Sequence, residues 1–566
     1  MAEEDEDDIM PVITFNKKYL FKLMSMTLSD DELKAQARKL GFGTERLNKD
    51  EISIEITPNR PDLYGAVGLA RSLKNFMHRS KKLVYEIKDE TPVLKITVGK
   101  EVSEVRPFIA SMAVYGIKLD EATLADIINF TEKLCETYGR SRKKIAIGLH
   151  DLDQVEPPLH YNAYPDDRFI PLNDNQEKSF SEILKTTDKG IKYGYTIGDS
   201  KRYPALKDNV GVLSFIPILN SERTRVTVKT KNILVDMTGL YEDSVNKTAD
   251  VLAAMFIDLG ASVKKVEIAY PGKHTLTPLL ATQYITLPFS MTEEEIGVQI
   301  GFNNVISLAN KMGYEAALVG KDMRFRVPEY RMDIINEQDI VEDIAIAYGY
   351  DFIQPLPILS TQKGELEPKE AVFDELSDAM VGMGFSEMLN TYLTNEETNF
   401  HEMRIKNIDS YLSAYKTDYI KLKNAKAESL SMMRTWILPS LLKNIAISRH
   451  EKMPQKLFEL DMVFYLSKKI AMEDYHLAGV YVDPKSNFNN IKGIIESLAY
   501  FLSMDWKIEK YEHESSIKGR CAKISFGKEM IGLFGELHPE VLSNFGIEEP
   551  TTAFEIDLSK IPIPVS

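Results

Sequence analysis

The chain has 566 residues, 44% of them hydrophobic and 27% charged, a composition that excludes extended disorder, collagen-like repeats and a membrane protein. Its 69 basic and 85 acidic residues give a net charge of −16 and a pI near 5.3, so any RNA contact requires local basic patches or a partner. Cys135 and Cys521 are too few for a disulfide framework or a thiolate metal site; with an acidic start instead of a signal peptide and no apolar run fit to span a bilayer, the expected location is cytoplasmic.

At roughly 100 to 200 residues per domain the chain should hold three to five domains. Residues 1–85 read as a first α+β unit. Ser29 and Glu32 form a capping box for a helix over 29–40 that Gly41 stops, and Ile52, Ile54 and Ile56 alternate with polar residues as in a half-buried strand. Thr57-Pro58-Asn59-Arg60-Pro61-Asp62 forces a turn, after which Asp62 is expected to cap a helix reaching Met77. Residues 86–276 read as a mixed α+β domain, with strands expected over 94–98, 108–119, 145–149, 192–197, 212–218, 224–229 and 233–237, and helices over 121–137 and 243–259. Residues 277–354 read as a small helical domain: a Thr292/Glu295 capping box opens a helix to about Ile300, a second runs over 303–311, a strand follows at 325–327, and an acidic helix closes it. Residues 355–566 begin with Pro355 and Pro357 and alternate long helices with strands, the pattern of helices packed on an antiparallel sheet.

Three constellations carry possible chemistry. On the acidic helix Asp339, Glu342 and Asp343 fall at i, i+3 and i+4, with Asp333 just upstream; this is an all-oxygen donor set for Mg²⁺ and, equally, the pattern of a solvated acidic face. Arg140-Ser141-Arg142-Lys143-Lys144 precedes the strand 145–149 and then His150-Asp151, which reads as a phosphate-facing basic run with an oriented base, or as a solvated turn with a structural histidine. Ser214 to Asn220 and Val235-Asp236-Met237-Thr238-Gly239 set small polar side chains among buried strand residues, which requires either a ligand pocket or internal hydrogen bonds. There is no phosphate-loop motif, no Gly-x-Ser-x-Gly elbow and no His-Glu-x-x-His pair.

Taken together these segments resemble the β subunits of phenylalanyl-tRNA synthetases of the archaeal/eukaryotic type. The carrying residues are Thr57 to Leu63, Arg140 to Asp153, Leu219-Asn220, Asp236 to Gly239, Tyr330-Arg331-Met332-Asp333 through Asp351, Arg434 with Leu438-Pro439-Ser440-Leu441-Leu442, Phe458-Glu459-Leu460, and Gly532 to Pro539. The resemblance implies a multidomain α+β protein with an editing domain at 86–276, a Mg²⁺-binding domain at 277–354, and a class II synthetase-like antiparallel sheet at 355–566 that has lost its active site. It implies an editing pocket at Arg142, Ser214, Asn220, Asp236 and Thr238, Mg²⁺ on Asp333, Asp339, Glu342 and Asp343, and hydrolysis of mischarged Tyr-tRNA(Phe). The partners it implies are tRNA(Phe) and an α subunit, joined in an α₂β₂ tetramer, on which ATP-dependent attachment of phenylalanine takes place. The absence of a Gly-x-Gly-x-Gly-x-x-Arg segment fits a chain without an ATP pocket. The acidic leader departs from the family pattern. The other readings are a stand-alone deacylase and a non-catalytic tRNA-binding scaffold.

Overall fold

The structure, a computed structural model, describes residues 11–78, 85–198, 200–357, 363–408, 412 and 417–562; the acidic leader lies outside them. The described residues fall into two compact units, one ending at Pro357 and the other formed by the residues that follow.

In the first unit, the alternation of Ile52 and Ile54 produces the strand Glu51–Glu55, central in a three-stranded antiparallel sheet between Val12–Asn16 and Gly43–Leu47. The Ser29/Glu32 capping box is formed and opens the helix Asp30–Lys39. Asp62 does not cap the next helix. It sits in a 3-10 turn, Pro61–Leu63, where it accepts from Arg60 Nε at 2.9 Å and lies 3.5 Å from Arg71; a carboxylate buried this deeply is held by cations. The helix Ala66–Phe76 is capped from a distance instead, the Asp126 carboxyl accepting from Ala66 N–H at 2.8 Å.

A ten-stranded sheet follows. Its path runs Leu219–Asn220, Val212–Phe215, Tyr203–Lys207, Leu159–Tyr164, Leu94–Val98, Ser262–Tyr270, Phe108–Tyr115, Asn232–Gly239 and Ile145–Asp151, with Lys273–Thr277 paired to Ser262–Tyr270. Ile233, Val235 and Met237 pack in the core that also holds Val245, Ala249 and Leu252 of the helix Glu242–Asp258, whereas Leu234 belongs to a separate core with Ile109 and Ala113. Period 2 therefore turns Asp236 and Thr238 away from that helix. The sheet curls until its first and last strands meet: Asn220 Nδ2 donates to the Leu149 carbonyl at 3.2 Å.

Two expected strands are not strands. Residues 192–197 lie in the helix Asp188–Tyr193 and the 3-10 turn Gly194–Ile197, because the Thr187 hydroxyl caps Gly190 N–H and opens a helix that the β-forming Tyr and Ile side chains do not override. Of residues 224–229, Thr224 ends the 3-10 turn Glu222–Thr224 and the rest form a loop, closed where Thr230 Oγ1 accepts from Thr227 N–H.

The region 277–354 is not helical alone: Gln283–Pro288, Asp322–Val327 and Glu315–Val319 form a three-stranded antiparallel sheet packed by three helices. Its first helix is Phe289–Ile296, so Thr292 is an interior residue and not a cap. The helix begins early, where Phe289 packs on Phe302 with ring centroids 3.8 Å apart, and ends at Gly297 with φ +74.

In the second unit seven strands run in the order Ser386–Glu387, Gln455–Ser467, Ile470–Val482, Thr551–Asp557, Glu529–Leu537, Ser516–Phe526 and Lys507–Tyr511, antiparallel except for the first pair. Helices cover both faces. Leu438–Ile447 and Pro539–Phe545 pack with Ala478, Val480 and Ala553, and Pro368–Gly382 and Phe488–Phe501 pack with Leu477, Phe554 and Ile556. Arg434, fully buried, is held by Glu459 at 2.5 Å and by the Met462 carbonyl at 2.9 Å.

Candidate functional site

Where the ends of the curled sheet meet, the strands enclose a cavity of about 380 Å³, within the range of small-ligand sites. Arg142, Ser214, Asn220, Asp236 and Thr238 all line it, although they come from three strands and a turn. Lining residues the sequence reading did not single out for the pocket include Glu132, Gly148, Lys189 and Thr224.

Asp236 is 2% exposed, and its Oδ1 lies 3.0 Å from His150 Nε2. The pairing of His150 with Asp151 is thereby corrected: neighbours on a strand point to opposite faces, and Asp151 instead accepts from Thr230 Oγ1 at 2.7 Å. The other ring nitrogen of His150 lies 2.8 Å from Thr224 Oγ1. Thr238 Oγ1 accepts from Arg106 Nε at 3.0 Å and its carbonyl from the same guanidinium at 2.8 Å, so the hydroxyl proton remains available. Burial pulls Arg106 down to about 10. Ser214 Oγ, buried, has no hydrogen-bond partner among the described residues.

Arg142 faces inward. It donates to the carbonyls of Pro217 and Ile218 at 2.9 and 3.0 Å, pairs with Glu132 at 2.6 Å, and stacks 4.4 Å above the Tyr193 ring. It braces the segment that carries Ser214 and Asn220. The turn that delivers it is strained: Arg140, Ser141 and Arg142 have φ of +48, +49 and +68, and their N–H groups donate to Thr137, Glu136 and Cys135, closing the helix Glu121–Glu136. The Glu132 carboxyl is held low by Arg142 and Lys189 against the opposing effect of its burial, and Lys189, 2.8 Å from Glu132 with its side chain 42% exposed, is the cation of the group that faces water.

The acidic region has a different character. The helix Glu337–Tyr348 is capped by Asn336, and Asp339 closes the capping box, its Oδ2 accepting from Ile335 and Asn336 N–H. Asp333 and Asp343 both pair with the buried Arg331, at 2.7 and 2.6 Å, and Tyr314 O–H donates to Asp343 at 2.5 Å. The Glu342 side chain reaches the surface, but the protein around its carboxyl partly displaces water and raises it, and Asp343 and Asp339 raise it further. Among the described residues no three His, Cys, Asp or Glu side chains are grouped to hold a metal. The donor chemistry suits Mg²⁺, but with Arg331 between two of the four carboxylates this arrangement does not fit the ion.

Residues 354–558 match the family "Phenylalanyl tRNA synthetase beta chain CLM domain", residues 285–350 "tRNA synthetase B5 domain" and residues 91–256 "B3/4 domain". The chain is 36% identical over 562 residues to the phenylalanine–tRNA ligase beta subunit of Methanocaldococcus jannaschii, covering 97% of this chain and 100% of that one. It belongs to the phenylalanine–tRNA ligase β-subunit family. The Archaeoglobus fulgidus member is 33% identical, with 97% of this chain and 98% of that one covered. An N-terminal fragment of the Pyrococcus horikoshii β subunit superposes with a TM-score of 0.57 at 31% identity, over 60% of this chain and all of the fragment. No helix of the described residues is long and apolar enough to cross a membrane. The five residues expected at the pocket line one cavity, and among the described residues the four expected acidic ligands do not form a cation cage.

Proposed function

We propose that the cavity hydrolyses Tyr-tRNA(Phe) and that this chain serves as the editing and supporting subunit of a phenylalanine–tRNA ligase. The observation that carries the reading is the convergence of Asp236, Thr238, Asn220 and Ser214 on one space of about 380 Å³. An apolar synthetic pocket rejects an analogue that only adds a hydroxyl by about 10²-fold, so phenylalanine selection leaks tyrosine. In the second site the Asp236 carboxylate accepts the phenolic O–H; a phenylalanyl group would leave that buried oxygen unpaired and is rejected. Asn220 uses Nδ2 on the Leu149 carbonyl and keeps Oδ1 as an acceptor for the substrate amino group. Ser214 and Thr238 offer hydroxyls to the ester and its attacking water. Arg142 holds the wall in place, and Lys189 at the rim meets the terminal phosphate of the RNA.

Aminoacylation and ATP use are assigned to an α subunit in an α₂β₂ assembly. In support, Arg434 is fully buried against Glu459 and the Met462 carbonyl and presents no exposed donor to a nucleotide. Mg²⁺ on Asp333, Asp339, Glu342 and Asp343 is proposed only in the form that Asp333 and Asp343 turn away from Arg331. A rise in unfolding midpoint with Mg²⁺ for the wild type and none for Glu342→Gln supports it; no rise in either rejects it. The test of the division of labour is purification of the chain with and without an α subunit: Phe-tRNA formation by this chain alone would refute it.

A further inference from the structure

We infer that His150 is a positioning residue of this cavity: it fixes the Asp236 carboxylate so that one oxygen is presented to a tyrosyl hydroxyl. The inference rests on the editing reading. Its basis is register. The strands Ile145–Asp151 and Asn232–Gly239 pair antiparallel with Asp236 opposite Gly148 and Leu234 opposite His150, so His150 is the diagonal neighbour of Asp236 on the same face. Gly148 makes the diagonal contact possible, since a Cβ there would lie 2.2 Å from Asp236 Oδ1. The carboxylate leans across the glycine to within 3.0 Å of His150 Nε2.

The direction of the hydrogen bonds follows from the partners. A carboxylate oxygen only accepts, so Nε2 carries the proton; in the neutral ring Nδ1 is then the acceptor and takes the Thr224 O–H at 2.8 Å. Thr224 thus selects the tautomer, His150 immobilises Oδ1, and Oδ2 remains as the acceptor available to a ligand. His150 is 0%, Thr224 1% and Asp236 2% exposed, so in the intact protein these hydrogen bonds are shielded from bulk water. His150 does not touch the ester; it acts through Asp236.

The test measures hydrolysis of Tyr-tRNA and Phe-tRNA by the full chain carrying His150→Ala, His150→Gln, Thr224→Val, Asp236→Ala and the His150→Ala/Asp236→Ala pair. The Tyr/Phe ratio of kcat/KM is expected to fall about tenfold or more in His150→Ala, chiefly through KM for Tyr-tRNA, because the bond is made alike in ground and transition states. His150→Gln, which keeps a donor at the Nε2 position, is expected to stay within about threefold of wild type. Thr224→Val lowers the ratio with the imidazole in place, and the double variant is no worse than Asp236→Ala. An unchanged ratio in His150→Ala, or equal losses for both substrates in kcat, overturns the inference. If His150→Ala does not fold, Thr224→Val and His150→Gln decide: a wild-type ratio in the first or an Ala-like loss in the second overturns it. A wild-type chain unable to hydrolyse Tyr-tRNA overturns the editing reading itself, and this inference with it.

Discussion

Replacing Asp250 by Asn is expected to make the fold more stable at alkaline pH. Asp250 lies on the helix Glu242–Asp258, 8% exposed, with Oδ1 accepting from Leu280 N–H at 2.9 Å. Burial raises its carboxyl from 3.8 to about 7, although the N–H groups of Leu280 and Leu279 pull the other way. A value higher in the folded than in the unfolded chain means that protonation favours the fold: the stabilisation is full below pH about 4 and is lost as pH rises through about 7. About three units correspond to about 4 kcal/mol. Asn keeps the acceptor for Leu280 and removes the charge, but sets an N–H against Leu279, a cost of about 1–2 kcal/mol. The variant should therefore exceed wild type by about 2–3 kcal/mol at pH 8.5, and equal it or fall below it at pH 4. The two tryptophans, Trp436 and Trp506, both lie in the C-terminal unit, so urea unfolding followed by circular dichroism, with hydrogen exchange of the 242–280 segment, reports the change where fluorescence would not. A difference between variant and wild type that does not vary with pH refutes the reasoning.

Gly148→Ala brings a methyl group to 2.2 Å from Asp236 Oδ1 and is expected to lower Tyr-tRNA hydrolysis at least tenfold, roughly one lost charged hydrogen bond, as read by kcat/KM. Arg142→Ala leaves the Pro217 and Ile218 carbonyls without their donor and Glu132 with Lys189 alone; allowing for the partial exposure of Glu132, thermal unfolding should show a loss of about 2–3 kcal/mol. Ser141→Gly relieves a left-handed residue at φ +49 and should gain about 1 kcal/mol in the same measurement.

Much of the local structure was legible because it rests on local chemistry. The Ser29/Glu32 box, the isoleucine alternation of 52–56 and the glycine stops each involve residues within a few positions of one another. What sequence order hides is the partner across space. Asp62 has the identity of a cap, but Arg60 and Arg71 take its carboxylate, and Asp126 from another helix caps in its place. Thr187 turned 192–197 into a helix and a 3-10 turn despite the β-forming side chains there. At the cavity, the positions expected from the family resemblance lie together, while Thr224 and the pairing of His150 with Asp236 instead of Asp151 emerge only through register and curl. One sequence signal did point there: Gly148 interrupts an otherwise apolar strand, and a glycine inside a strand marks close approach of another group.

The measurement that bears most directly on the account is deacylation by the full chain, comparing Tyr-tRNA(Phe) with Phe-tRNA(Phe), in wild type and Asp236→Ala. Rapid hydrolysis of the tyrosyl ester, little of the phenylalanyl ester, and collapse of that preference in the variant are expected. Equal hydrolysis of both esters, or a preference that survives removal of the Asp236 carboxylate, would contradict it.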